Sequence, residues 1–193
     1  MHSVFLLFVL STVCSGAYIL SPSIVPKSCS YVIISNLQSG ANIGQICRNA
    51  LAFNVHEVLV VGRNNFNGKM RGADRGAKFM QRFVHLTSTA EARDYIKERE
   101  PDCQILGVEI ADKAISIRDY KFRGSTAFMF GNEGGGLSDR QREICDDLVY
   151  IPQFSATGGM ASINVACASA ITLYSFAISQ NYEESTRLGE KFL

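Results

Sequence analysis

No Cys-x-x-Cys pair occurs in this 193-residue sequence, although six cysteines are present, at 14, 29, 47, 103, 145 and 167. Their wide spacing argues against a zinc site. Cys47 and Cys167 fall inside apolar runs, where a free thiol behaves as a small hydrophobe. They read as reduced core residues and point to a reducing compartment. An excess of charge of one sign is missing too. The formal net charge is +1, and Lys27 is the only Lys, Arg, Asp or Glu before Ser30. Global charge therefore does not announce nucleic acid, and any such surface must be local. His2, His56 and His85 are isolated from any partner motif, which leaves no case for a histidine base or a Ser-His-Asp triad. Gly-x-Gly-x-x-Gly and Gly-Lys-Ser/Thr are both absent, so neither a dinucleotide fingerprint nor a P-loop is present. The apolar run at 4–13 is ten residues long and too short to span a bilayer. No repeat or low-complexity tract interrupts the body.

What is present sorts into a leader and one domain. The run at 4–13 leads into Cys14, Ser15, Gly16 and Ala17, the pattern of a signal peptide cleaved near Ala17, although Lys and Arg are missing from its first residues. With the Ser/Pro-rich piece that follows, it resembles the bipartite plastid-targeting leaders of algae with secondary plastids. The equal alternative is a start codon placed too early, with the protein then in the cytoplasm. Residues 1–30 are thus expected to be a leader and linker, and 31–193 a single domain; 47% hydrophobic residues suffice for one sizeable core.

The body alternates strands and helices. Strands are expected at 31–36, 58–61, 104–110, 126–130 and 148–151, where β-rich or continuous apolar runs occur. Helices are expected at 42–53, at 88–100 and 138–145 behind the capping boxes Ser88/Glu91 and Ser138/Gln141, and from 161 onward as an Ala-rich, mostly buried helix. The charged connection 111–125 separates two of the strands. Such alternation means α/β architecture, a mostly parallel sheet with helices on both faces, whose ligands sit beyond the carboxyl ends of the strands.

The unusual residues lie at those ends. Gly131, Asn132, Glu133, Gly134, Gly135 and Gly136 directly follow the strand at 126–130, and a glycine loop there either makes a tight turn or lets backbone press against a flat ligand. Glu133 suits either orienting a substrate or accepting N–H groups of its own turn. Arg48, placed with Gln45 and Asn49 opposite an apolar stripe, reads in isolation as a solvated arginine. Residues 62–82 carry six Lys or Arg against one Asp, interleaved with Asn and Phe. That segment is either wet surface or a grip on a phosphate backbone with stacking groups for bases.

Three pieces in order resemble the SpoU/TrmH RNA ribose methyltransferases of the SPOUT superfamily. They are Asn42-Ile43-Gly44 with Arg48 and Ala52-Phe53; Phe130-Gly131-Asn132-Glu133-Gly134 with Gly136-Leu137-Ser138; and Ile151-Pro152 through Ser162-Ile163-Asn164-Val165. The resemblance covers about residues 31–176. It implies an alpha/beta fold whose C-terminal part forms a trefoil knot, S-adenosylmethionine as cofactor, and a homodimer. It also implies methylation of a ribose 2′-hydroxyl in tRNA or rRNA without a metal. By the same analogy Asn42, Arg48, Glu133, Ser162 and Asn164 are catalytic, Val108, Gly131, Ile151 and Ile163 hold the cofactor, and RNA contacts fall to Arg63, Lys69, Arg71, Arg75 and Lys78. Two departures stand out: Ser-Ile-Asn replaces the usual Ser-Leu-Asn, and the loop at 152–162 is a few residues longer, leaving open which of Gly158 and Gly159 matches. The rival readings are a catalytically inactive knotted RNA-binding module, against which retention of all five polar residues argues, and a nucleotide-dependent oxidoreductase, which the glycine spacing disfavours.

Overall fold

The computed structural model describes residues 28–62, 82–155 and 162–192. The leader, the five RNA-contact candidates Arg63, Lys69, Arg71, Arg75 and Lys78, and Gly158 and Gly159 lie outside the described residues. The elements are β1 Ser30–Ser35, α1 Gly40–Ala52, β2 Glu57–Val61, β3 Phe83–Leu86, α2 Thr89–Arg99, β4 Gln104–Val108, β5 Ile115–Ser116, β6 Thr126–Phe130, α3 Asp139–Glu143, β7 Asp147–Tyr150, α4 Val165–Ser179, β8 Arg187–Leu188 and β9 Lys191–Phe192.

Seven strands form one sheet in the order β3-β2-β1-β6-β4-β7-β5, every pair parallel. Strand side chains alternate between faces, and both faces are covered. Val32, Ile34, Val58, Val60, Leu106, Phe128 and Phe130 pack toward α1 and α4. Tyr31, Ile33, Leu59, Ile105, Ala127 and Met129 pack toward α2 and Ile144. The continuous apolar runs of β1 and β6 follow from this double covering, since all five residues of β6 are buried.

Four strands arise where none is expected from the sequence: β3, β5 and the antiparallel pair β8 and β9, two residues each. β3 and the two-residue β5 are the sheet's edges, half-wet and short, so neither carries a buried run. The connection 111–125 also does more than link strands. Phe122 packs against both Phe128 and Phe176, at centroid distances of 6.0 and 5.2 Å, edge to face, and those two rings meet each other at 5.6 Å. Tyr120 accepts from Gln104 Nε2 and donates to Asp147 Oδ2, tying the connection across β4 and β7.

Three further expectations change. The strand expected to run to Ile110 stops at Val108, because Glu109 turns into the loop beyond the sheet. Asn49 is buried, not solvated beside Arg48: its Nδ2 donates to Ala166 O and Ser169 Oγ, both at 2.8 Å. This is the polar centre of an interface in which the small residues Ala166 and Ser169 admit α1 closely. The last helix starts at Val165 rather than 161, capped by Asn164, and is only half-buried. Cys167, Ile171, Tyr174 and Ile178 are exposed along its outer face, so Cys167 is not a core thiol. Cys47 is one, its thiol pushed up to about 12 by burial.

Candidate active site

β1, β4, β6 and β7 point their carboxyl ends the same way, so the loops that follow them converge. Between the 131–136 loop, the turn after β4 and the chain on either side of 156–161 lies a cleft of about 440 Å³, within the range of small-molecule sites. Val108, Ile151 and Ile163 supply apolar walls; Gly131, Glu133, Ser162 and Asn164 also line it. Seven of the nine site residues expected from the sequence therefore share one cleft. Asn42 and Arg48 do not line it.

Asn42 nevertheless joins two that do. In the first turn of α1, its Nδ2 donates to Glu133 Oε1 at 3.0 Å, and its Oδ1 accepts from Asn164 Nδ2 at 3.0 Å. Glu133 also accepts from the backbone N–H groups of Ser39, at 3.1 Å, and Gln38, at 3.3 Å. Partial burial pushes the Glu133 carboxyl up, but the Asn42 hydrogen bond and the backbone N–H groups outweigh it and hold the group below the usual carboxylate range. Asn164 Oδ1 accepts from Ala166 N–H at 2.8 Å, so one side chain caps α4 and reaches Asn42. The N-terminal ends of α1 and α4, where partial positive charge collects, thus meet at the rim.

Arg48 stands apart. It lies less than two turns beyond Asn42 on α1, about 9 Å along the axis, exposed, with no hydrogen-bond or ion-pair partner among the described residues. Glu133 and Asn164 hold Asn42, not Arg48.

The glycine loop is built tightly. A Cβ on Gly131 would stand 2.5 Å from the backbone of Gly136, and one on Gly136, at φ +65°, would strike the Glu109 carboxylate. Its amides are consumed internally: Gly134 and Gly135 donate to Asn132 Oδ1, Gly136 to Asn132 O, and Leu137 to Glu109. Such a loop cannot cradle a phosphate. The cleft instead carries two carboxylates, Glu109 and Glu133, and no Lys or Arg among its described lining, which suits a neutral or cationic ligand. Glu109 is absent from the sequence reading, and Asn132, although part of the second motif, is given no role there. Their only signal is adjacency to a strand end and a glycine run.

Fold and cleft define an α/β domain built on an all-parallel seven-stranded sheet, with a candidate ligand site at the strand carboxyl ends. The sequence profile of the SpoU rRNA Methylase family matches residues 30–174, and the chain belongs to that family. It is 32% identical over 146 residues to the 23S rRNA (guanosine-2'-O-)-methyltransferase RlmB of Bordetella pertussis, covering 74% of this chain and 57% of that one. It is 28% identical over 144 residues to the tRNA (guanosine(18)-2'-O)-methyltransferase of Escherichia coli, covering 74% and 60%. Among solved structures it resembles the SpoU methyltransferase AviRb of Streptomyces viridochromogenes in complex with the cofactor AdoMet, with a TM-score of 0.69 and 26% identity over 82% of this chain and 60% of that one. The chain spans about half the length of the curated relatives it matches.

Proposed function

We propose that the protein is an S-adenosylmethionine-dependent RNA 2′-O-methyltransferase acting on tRNA or rRNA. The observation that carries this is the Glu133–Asn42–Asn164 network at the rim of an acidic, phosphate-averse cleft. S-adenosylmethionine supplies, when bound, a cationic sulfonium whose methyl passes to the ribose 2′-oxygen as a neutral thioether departs. The residues present fit it: Val108, Ile151 and Ile163 face a nucleoside with apolar surface, and Gly131 and Gly136 leave backbone bare where any Cβ would collide. Glu133, with no Lys or Arg among the described lining, favours positive charge in the cleft, and the lack of a phosphate cradle disfavours a dinucleotide.

In this reading the chain contributes alignment and charge rather than a metal. Glu133 and Asn164, held through Asn42, orient the ribose at the rim, with the Ser162 hydroxyl beside them. Arg48 brings its guanidinium charge, which stabilises the developing alkoxide as the hydroxyl proton passes to solvent water. Since it lies outside its own cleft, it serves the cleft of a second copy. A homodimer through the outer face of α4 supports this. Ile171, Tyr174 and Ile178 form an exposed apolar stripe along α4, and Tyr174 meets Phe53, at the end of α1 that follows Arg48, edge to face at 6.1 Å, so a copy seated there lies against that end of α1. The trefoil knot implied by the family resemblance belongs to the same proposal. RNA would be gripped by Arg63, Lys69, Arg71, Arg75 and Lys78, and the leader would direct the protein to a plastid, which a fluorescent fusion of residues 1–30 tests.

The test is incubation with methyl-labelled S-adenosylmethionine and pooled tRNA or rRNA, followed by alkaline hydrolysis, which cannot cut beside a methylated 2′-oxygen. Label in alkali-resistant dinucleotides is the expected result. Label in mononucleotides would mean base methylation, and no label, with cofactor and RNA both bound, would mean a binding module.

A further inference from the structure

Glu109 is the one carboxylate of the cleft that no part of the proposed chemistry uses. It follows β4, and its Oε2 accepts the Leu137 N–H at 2.7 Å while its Oε1 accepts the N–H of Ile110 at 3.1 Å. Leu137 ends the 131–136 loop, and its side chain is buried against β4, where Gly107 leaves room for it: a Cβ on Gly107 would stand 2.7 Å from Leu137 Cδ1. The loop itself is closed by the paired backbone bonds of Asn132 and Gly136, at 2.9 and 3.0 Å. It is pinned to the β1 side by Asn132 Nδ2, which donates to Asn36 O at 2.8 Å. On the β4 side the polar pin is Glu109. Gly136 at positive φ clears the space that this carboxylate fills. A charge-assisted bond to an amide is among the stronger hydrogen bonds available, and its loss leaves the Leu137 donor without its acceptor.

We propose that Glu109 is a positioning residue: its carboxylate fixes the 131–137 wall of the cleft from the β4 side, and so sets how tightly the cleft closes on an adenosine-bearing ligand. This rests on the reading of the cleft as the S-adenosylmethionine site. A positional role and a direct charge role make opposite forecasts. A fixed wall serves the cationic cofactor and its neutral thioether product alike, whereas a charge on the ligand favours the cation alone. Glutamine keeps a carbonyl oxygen for Leu137 N–H and loses the charge.

The experiment compares wild type, Glu109→Ala and Glu109→Gln by calorimetric titration with S-adenosylmethionine and with S-adenosylhomocysteine, and by hydrogen exchange at the Leu137 amide in the unliganded protein. Glu109→Ala is expected to weaken both ligands by the same factor, about tenfold, with the loss of activity appearing in the cofactor KM more than in kcat. Its Leu137 amide should exchange faster, and Glu109→Gln should return both affinities to within about threefold of wild type. Unchanged affinities and exchange in Glu109→Ala would overturn the proposal. So would a loss confined to S-adenosylmethionine and equal in both variants, which would assign Glu109 to charge. If wild type binds neither ligand, the functional reading fails, and amide exchange still decides whether Glu109 holds the wall.

Discussion

Asn164 and Asn42, 122 residues apart, are joined by a 3.0 Å hydrogen bond in which Asn164 Nδ2 donates to Asn42 Oδ1. Because Asn42 Nδ2 in turn donates to Glu133, a single amide relates the last helix to the glycine loop. Asn42 itself stays out of the cleft. Asn42→Ala should therefore cut methyl transfer by about 10- to 100-fold through misplacement of Glu133 and Asn164, with S-adenosylmethionine affinity close to wild type. Steady-state kinetics beside calorimetric titration separate the two. A variant whose defect lies wholly in cofactor binding would contradict this division.

Glu133 should make stability depend on pH in one direction. Its carboxyl sits below the usual range in the folded protein, because the Asn42 amide and the N–H groups of Ser39 and Gln38 outweigh the upward push of burial. A depressed folded value means that its contribution is complete above the unfolded value, about 4.3, and fades as pH falls through the folded one. Wild type should thus melt above Glu133→Gln at neutral pH, and the two midpoints should converge as pH falls below the ordinary carboxylate range and through the depressed folded value. Parallel melting curves at all pH values would remove the carboxylate from the account.

Asn49→Ala should destabilise the fold without reaching the cleft. The side chain is buried between α1 and α4 and makes two 2.8 Å donations, to Ala166 O and Ser169 Oγ. The expected loss is about 1–3 kcal/mol, read as a lower urea midpoint. Ser169→Ala should cost less, since Ala166 O keeps the Asn49 donor, and the double variant should cost less than the sum of the two.

The same residue shows where sequence reading ran out. The stripe at Ile43, Ile46, Cys47 and Ala50 locates α1, yet a polar side chain beside Arg48 looks solvated until Ser169 is known to lie against it. The strands β1, β2 and β6 were legible because burial on both faces leaves continuous apolar runs, and the edges β3 and β5 were not because edge strands need none. Motif order brought Glu133, Ser162 and Asn164 to one cleft, along with Val108, Gly131, Ile151 and Ile163. It did not reveal that Arg48 lies away from them, a matter of helical phase and distance along α1. Nor could Glu109 be read, since its role depends on one amide 28 residues later.

Gly131 and Gly135 make a matched pair of substitutions. At Gly131 a Cβ meets the Gly136 backbone at 2.5 Å, whereas at Gly135 nothing lies within 4 Å. Gly131→Ala must force the loop open, at a cost of about 1–3 kcal/mol, and should weaken cofactor binding by about tenfold or more. Gly135→Ala should bind within about twofold of wild type. Calorimetric titration with thermal melting of both checks this, and equal effects at the two positions would mean that the close approach does not shape the cleft.

Arg48 gives the sharpest test of how two copies cooperate. Its removal takes away a positive charge and the N–H donors that carry it. Arg48→Ala should reduce methyl transfer by about 100-fold or more while cofactor affinity holds, because the residue does not line the cleft. If it serves the neighbouring copy, mixing Arg48→Ala with Asn164→Ala chains yields dimers in which one cleft has an intact Asn164 and receives an intact Arg48, and activity returns in part. If it serves its own chain, each half of the mixed dimer carries one broken site and activity stays at the level of the parents. The mixture should also lose its recovery when Tyr174→Arg is added to both chains, since Tyr174 is 56% exposed at the centre of the apolar stripe on α4 and a charge there separates the copies. An Arg48→Ala protein with full activity would remove the arginine from the reaction altogether.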